Sequence, residues 1–163
     1  MTTSTGPGRR LVLVAMIFAV AMMFIDQTIV ALAIPDLQKD LSLTSTATQW
    51  IVNGYLLSLA ALFMLGGKLA DTLGHRRVLV VGVTGFALAS ALCGATPTGG
   101  LGEAWIIGFR VLQGGFAALL FPAALAIVVR AYPQKERGRA LAAFFGITGA
   151  GPVSPRSAAS PSG

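Results

Sequence analysis

Long apolar runs recur along this chain, each broken only by a short polar turn. From Leu11 to Ile34 about 24 residues pass with a single charge, Asp26. At 1.5 Å rise per residue, such a helix crosses a hydrocarbon layer near 30 Å thick. Further runs follow over 50–67, 78–95 and 105–129, the last also with one charge, Arg110. A water-soluble domain is normally covered by Lys, Glu, Asp and Arg. Here charged residues make up 11% of the chain against 55% hydrophobic. The pattern therefore predicts an all-α, polytopic membrane protein whose exterior faces the lipid bilayer. A cleaved signal peptide is excluded for the first run, since its apolar region would be only about 7–15 residues long.

The polar segments set boundaries and orientation. Residues 1–10 read as a disordered tail. Pro35 is expected to close the first helix, and Trp50 to open the second, with Trp50 and Tyr55 in the interfacial aromatic belt. Thr96-Pro97-Thr98-Gly99-Gly100 is a turn. Lys and Arg number nine in the tail, the second loop and the fourth loop, but only Lys39 falls in the first and third loops. The positive-inside rule then places the N-terminus in the cytoplasm. The net charge of +6 comes from these separated clusters rather than from one basic face, which excludes a nucleic-acid partner. A fifth run, 140–153, is about 14 residues long and too short to cross. Residues 154–163 then turn to Pro/Ser composition and read as an unrelated disordered tail, so the fifth helix is expected to be truncated near Val153.

Chemistry for an enzyme is missing. His75 is the only histidine and Cys93 the only cysteine, which leaves no metal set and no isolated nucleophile–base pair. Cys93 reads as a small packing residue. The two intramembrane charges are more informative, because a central Asp or Arg costs roughly 2.5–3.5 kcal/mol and so faces a partner or a wet cavity. Asp26 lies roughly 13 Å below the outer end of its helix and Arg110 roughly 10 Å below that of the fourth. These helices run in opposite directions, so the two charges are expected at similar depth, paired or sharing one hydrated pocket. Gln113 lies one turn from Arg110 on the same face. Gly114, Ala118 and Pro122 form a small-residue stripe that lets another helix approach.

The turn Gly67-Lys68-Leu69-Ala70-Asp71-Thr72-Leu73-Gly74-His75-Arg76-Arg77 resembles the signature between the second and third helices of the major facilitator superfamily. Arg110-Val111-Leu112-Gln113-Gly114-Gly115 resembles the fourth-helix motif of that superfamily. Asp26-Gln27-Thr28-Ile29-Val30, before Pro35, resembles the first-helix motif of its fourteen-helix drug:proton antiporter branch. Ala31 stands where that branch has Asn, and His75 where the loop signature has Arg. Gly146, Gly149, Gly151 and Pro152 resemble the start of the antiporters' fifth-helix signature. Ser154-Pro155-Arg156 depart from it, so the likeness covers about residues 9–153.

The resemblance implies a partial major-facilitator bundle, most of one six-helix half, with helices one and four in related positions lining the cavity. It implies proton-coupled efflux of a small molecule by alternating access. Asp26, Arg110 and Gln113 would serve the proton or substrate cavity. Gly67, Asp71, Gly74, Arg76 and Arg77 would form a gating loop at the cytoplasmic mouth, with Asp71 networked to Arg76 and Arg77. Gly149, Gly151 and Pro152 would remain from the fifth-helix motif. The proton gradient would drive exchange without a cofactor, in the plasma (inner) membrane, and the missing C-terminal helices would be needed for transport. A small oligomeric channel or exporter and a non-transporting membrane module are the alternatives.

Overall fold

The computed structural model describes residues 7–41 and 43–147 as five α-helices: α1 (Pro7–Asp40), α2 (Ser45–Leu73), α3 (His75–Gly94), α4 (Gly102–Ala131) and α5 (Gln134–Ile147). The first four are long and apolar enough to cross a membrane. Large hydrophobic side chains such as Leu11, Phe18, Leu32 and Met64 lie on the outside, where lipid is the fitting solvent. The chain is an all-helical, integral membrane protein.

Each helix begins before the apolar run that announced it, and α1, α2 and α4 also end after it. α1 begins at Pro7, inside the segment expected to be tail, and continues through Pro35 to Asp40. Proline at 35 removes one backbone donor, yet the helix runs through it, as membrane helices tolerate. Here Gln38 Nε2 donates to Thr48 Oγ1 at 2.9 Å, tying the far end of α1 to the start of α2. α2 starts five residues before Trp50, capped by Thr44, whose Oγ1 accepts from Ala47 N at 3.1 Å. It runs past Gly67 to Leu73, so Gly67 and Asp71 are helical rather than in a loop. The turn into α3 is the single residue Gly74, at φ +96°, a backbone conformation that side chains other than glycine resist. Lys135 to Arg139 belong to α5 and not to a loop. Residues 1–6 and 148–163, with the expected ends of tail and fifth helix, lie outside the described residues.

α4 is the centre of the bundle, packing most extensively on α2 and α3 and less on α1. The small-residue stripe explains the first contact. A Cβ on Gly66 of α2 would meet the carbonyl oxygen of Ala118, and one on Gly114 would meet that of Tyr55. Only glycine allows the two backbones this close. On the other side of α4, a Cβ on Gly82 would come within 3.1 Å of the Leu120 backbone. α1 joins through Met16, Val20 and Met23, which are buried on one face. Asp26 lies one turn further along that face.

Candidate functional site

Asp26, Arg110 and Gln113 come together between α1, α3 and α4. Arg110 Nη1 lies 2.7 Å from Asp26 Oδ2, with the arginine side chain 1% and the aspartate 13% exposed. The same Nη1 donates to Gln113 Oε1 at 2.9 Å, and Gln113 Nε2 donates to Asp26 Oδ1 at 2.8 Å. Gln113 thus bridges the ion pair. Its oxygen can only accept from the guanidinium and its nitrogen can only donate to the carboxylate, so one amide orientation satisfies both. The helical spacing of three residues between Arg110 and Gln113 makes this possible.

Other helices complete the site. Ser90 Oγ of α3 donates to Asp26 Oδ1 at 3.1 Å, and Arg110 Nε donates to the Ile51 carbonyl of α2 at 3.1 Å. The guanidinium carbon sits 4.6 Å from the centre of the Tyr55 ring, a cation–π arrangement. Cys93 Sγ approaches Gln113 Oε1 at 3.9 Å. A buried charge is tolerated only when paired and hydrogen-bonded, and this pair meets both conditions. Nη2 of Arg110 is buried without a hydrogen-bond partner among the described residues. A cavity of about 210 Å³ adjoins the pair, lined by Asp26, Ser90, Cys93, Arg110, Gln113 and apolar residues of α1 and α4. Its volume and the polar groups of Asp26, Ser90 and Gln113 on one side give room and partners for water.

Sequence reasoning missed Ser90, the Ile51 carbonyl and the role of Tyr55. Tyr55 is 1% exposed, not in an interfacial belt: five residues beyond Trp50, it lies deeper, on the face turned to α4. Trp50 is 49% exposed. Cys93 does more than fill space, since its sulfur edges the charged cluster. A small hydroxyl residue within the third apolar run was the available signal for Ser90.

The residues of the expected gating loop gather at the other end of the bundle, around the junction of α2 and α3. Asp71 Oδ1 lies 3.2 Å from His75 Nε2, one turn on, rather than in a network with Arg76 and Arg77. The histidine that departs from the loop signature is therefore the partner of the aspartate. Arg76 and Arg77 are exposed, and among the described residues neither forms an ion pair. Gly149, Gly151 and Pro152 lie outside the described residues.

Comparison with known proteins points the same way as these motifs. A family model described as Major Facilitator Superfamily matches residues 16–154. The puromycin resistance protein pur8 of Streptomyces alboniger is 40% identical over 140 residues, covering 85% of this chain and 27% of that protein. The tetracenomycin C resistance and export protein of Streptomyces glaucescens is 43% identical over 138 residues, covering 85% and 25%. The multidrug efflux pump LfrA of Mycolicibacterium smegmatis is 35% identical over 144 residues, covering 88% and 28%. The chain spans about a quarter of the length of these relatives.

Proposed function

The chain belongs to the major facilitator superfamily, and from that premise we propose that α1–α4 form part of the N-terminal half of a proton-coupled exporter of small molecules. The reading places it in the plasma membrane with the N-terminus in the cytoplasm, in keeping with the nine-to-one division of basic residues. Its substrates would belong to the class of antibiotics and drugs for which the relatives are named. Transport by alternating access requires a second half around the cavity, and α1–α4 would supply part of the first.

One observation carries the proposal: a carboxylate ion-paired to a buried guanidinium, bridged by Gln113, on the wall of a cavity between transmembrane helices. Such a pair has two arrangements. With Asp26 ionised, Arg110 is neutralised and α1 is drawn to α4. With Asp26 protonated, the arginine loses its counter-ion and the attraction weakens, so proton binding changes how tightly α1 sits. A cationic substrate reaching Asp26 would act in the same sense. Coupling would follow from competition between proton and cation for one carboxylate. Gly67, Asp71, Gly74, Arg76 and Arg77 would gate the cytoplasmic mouth, with the Asp71–His75 contact in place of an Asp–Arg network.

The test grafts residues 7–147 in place of the matching segment of the puromycin resistance protein and follows efflux of a fluorescent lipophilic cation from proteoliposomes carrying a proton gradient. The graft is expected to transport, and Asp26→Asn within it to lower efflux at least about tenfold, a loss of one transition-state ionic contact. Unchanged proton-driven efflux with Asn at 26 would show that the pair only holds helices together and does not couple transport to the proton.

A further inference from the structure

A second cavity lies at the opposite end of the bundle from Asp26, bordered by the proposed gating residues Gly74, Arg76 and Arg77, and gating alone gives its apolar wall and Arg130 no part. It forms where α1 begins, α2 ends, α3 begins and α4 ends, and is wide and open, about 720 Å³. Val12, Ile127 and Ala131 give it an apolar wall, while Arg76, Arg77 and Arg130 supply three guanidiniums. His75 also reaches it, but its ring is engaged by Asp71. Among the described residues no carboxylate lines the cavity, and none pairs with any of the three arginines.

From this arrangement we infer that the cavity binds an anionic phospholipid, with its phosphate-bearing headgroup on Arg76, Arg77 and Arg130 and its glycerol and first acyl carbons along Val12, Ile127 and Ala131. Three guanidiniums around one space concentrate positive charge that an anion between them would neutralise. Guanidinium forks suit phosphate oxygens, which they bind through paired hydrogen bonds. The helix ends place the cavity at the level of the bilayer–water boundary, where a lipid headgroup is at high local concentration and soluble anions are not. Basic pockets between transmembrane helices at this level take anionic headgroups, and the volume lies within the range of small-molecule sites. The apolar wall distinguishes a lipid from a free anion, because inorganic phosphate gains nothing from Val12 or Ile127. The α3 N-terminus, capped by Gly74 without a side-chain hydrogen bond, adds a smaller attraction for negative charge. The inference requires the chain to sit in a bilayer but not to transport, so it stands or falls separately from proton coupling.

The experiment is native mass spectrometry of the full chain in neutral detergent micelles doped with phosphatidylglycerol or phosphatidylcholine. Phosphatidylglycerol should be retained in preference, and Arg130→Gln should weaken its binding about fivefold, with a similar further loss for each of Arg76→Gln and Arg77→Gln. Arg130→Lys should recover much of the loss, and Lys39→Gln, at the other end of α1, should change nothing. The three arginines are exposed, and a circular dichroism spectrum checks that each variant keeps its helices. Equal retention of the two lipids, or undiminished retention by the triple glutamine variant, would overturn the inference. Displacement of the lipid by millimolar inorganic phosphate would overturn it in favour of a free-anion site, and displacement by polyglutamate in favour of an acidic polypeptide surface.

Discussion

α4 and α1 are both long, apolar helices, yet they are held in the bundle by different physics. In α4, 44% of the most apolar window is buried; in α1 it is 11%. α4 touches α2 and α3 through backbone, with Gly66, Gly82 and Gly114 removing the side chains that would keep the helices apart. α1 has only Met16, Val20 and Met23 buried on one face, and then the polar contacts of Asp26. Lipid tails are as apolar as the helices, so no hydrophobic force draws α1 inward. Packing secures the one and a charge cluster the other. A helix fixed by backbone contact has a single seat, whereas one fixed by a charge cluster depends on a few side chains keeping their partners.

The largest effect should come from breaking the ion pair on one side only. Arg110→Leu leaves the Asp26 carboxylate in the bundle without its cation, a change that costs about 3–5 kcal/mol for buried pairs. The double variant Asp26→Leu/Arg110→Leu should recover most of that, because neither charge then remains unmatched. Loss of helical circular dichroism on titrating dodecyl sulfate into the purified chain measures both. Equal, small losses for the single and double variants would mean that charge does not hold α1, and the contrast with α4 would collapse.

A smaller effect is expected on the packed side. A β-carbon at Gly66 would run into the Ala118 carbonyl, and Gly66→Val should cost about 1–3 kcal/mol through overpacking in the same titration. Gly108, also on α4, has nothing within 4 Å of an added Cβ, so Gly108→Ala should be neutral or gain up to about 1 kcal/mol from helix propensity. If both substitutions behave alike, close backbone approach is not what secures α4.

Much of this was legible in the sequence because membranes make certain residues expensive. The four spans follow from run length, and the pairing of Asp26 with Arg110 from the cost of an isolated intramembrane charge. Gln113 follows from helical spacing alone. Helix ends were not legible, since polar residues at the bilayer boundary continue a helix without an apolar signature. Lys68 to Leu73 looked like a charged turn, but α2 needs only Gly74 to reverse. Tyr55 and Ser90 were hidden for another reason. Their parts depend on which face of α2 and α3 meets α4, and in a span apolar all round no periodicity reveals that face. The Ile51 carbonyl carries no sequence signal, because every residue has one. His75 was read as a departure from a pattern, whereas spacing of one turn from Asp71 makes it the aspartate's partner.

The gentlest test of α1's attachment is Ser90→Ala. The hydroxyl gives Asp26 one of its three donors, and Gln113 and Arg110 remain to hold the carboxylate. Losing one hydrogen bond costs about 0.5–1.5 kcal/mol net, which corresponds to a two- to tenfold larger population in which α1 has lifted from α3. The chain carries its own reporter for that event: Cys93 is the only cysteine, and it lines the cavity that Asp26 and Ser90 share. Alkylation of Cys93 by a small maleimide should therefore speed up two- to tenfold in Ser90→Ala and more in Arg110→Leu, while Gly108→Ala leaves it unchanged. An alkylation rate that rises for Gly66→Val but not for the polar variants would reverse the assignment, making α2–α4 packing, and not the charge cluster, the gate to this cavity.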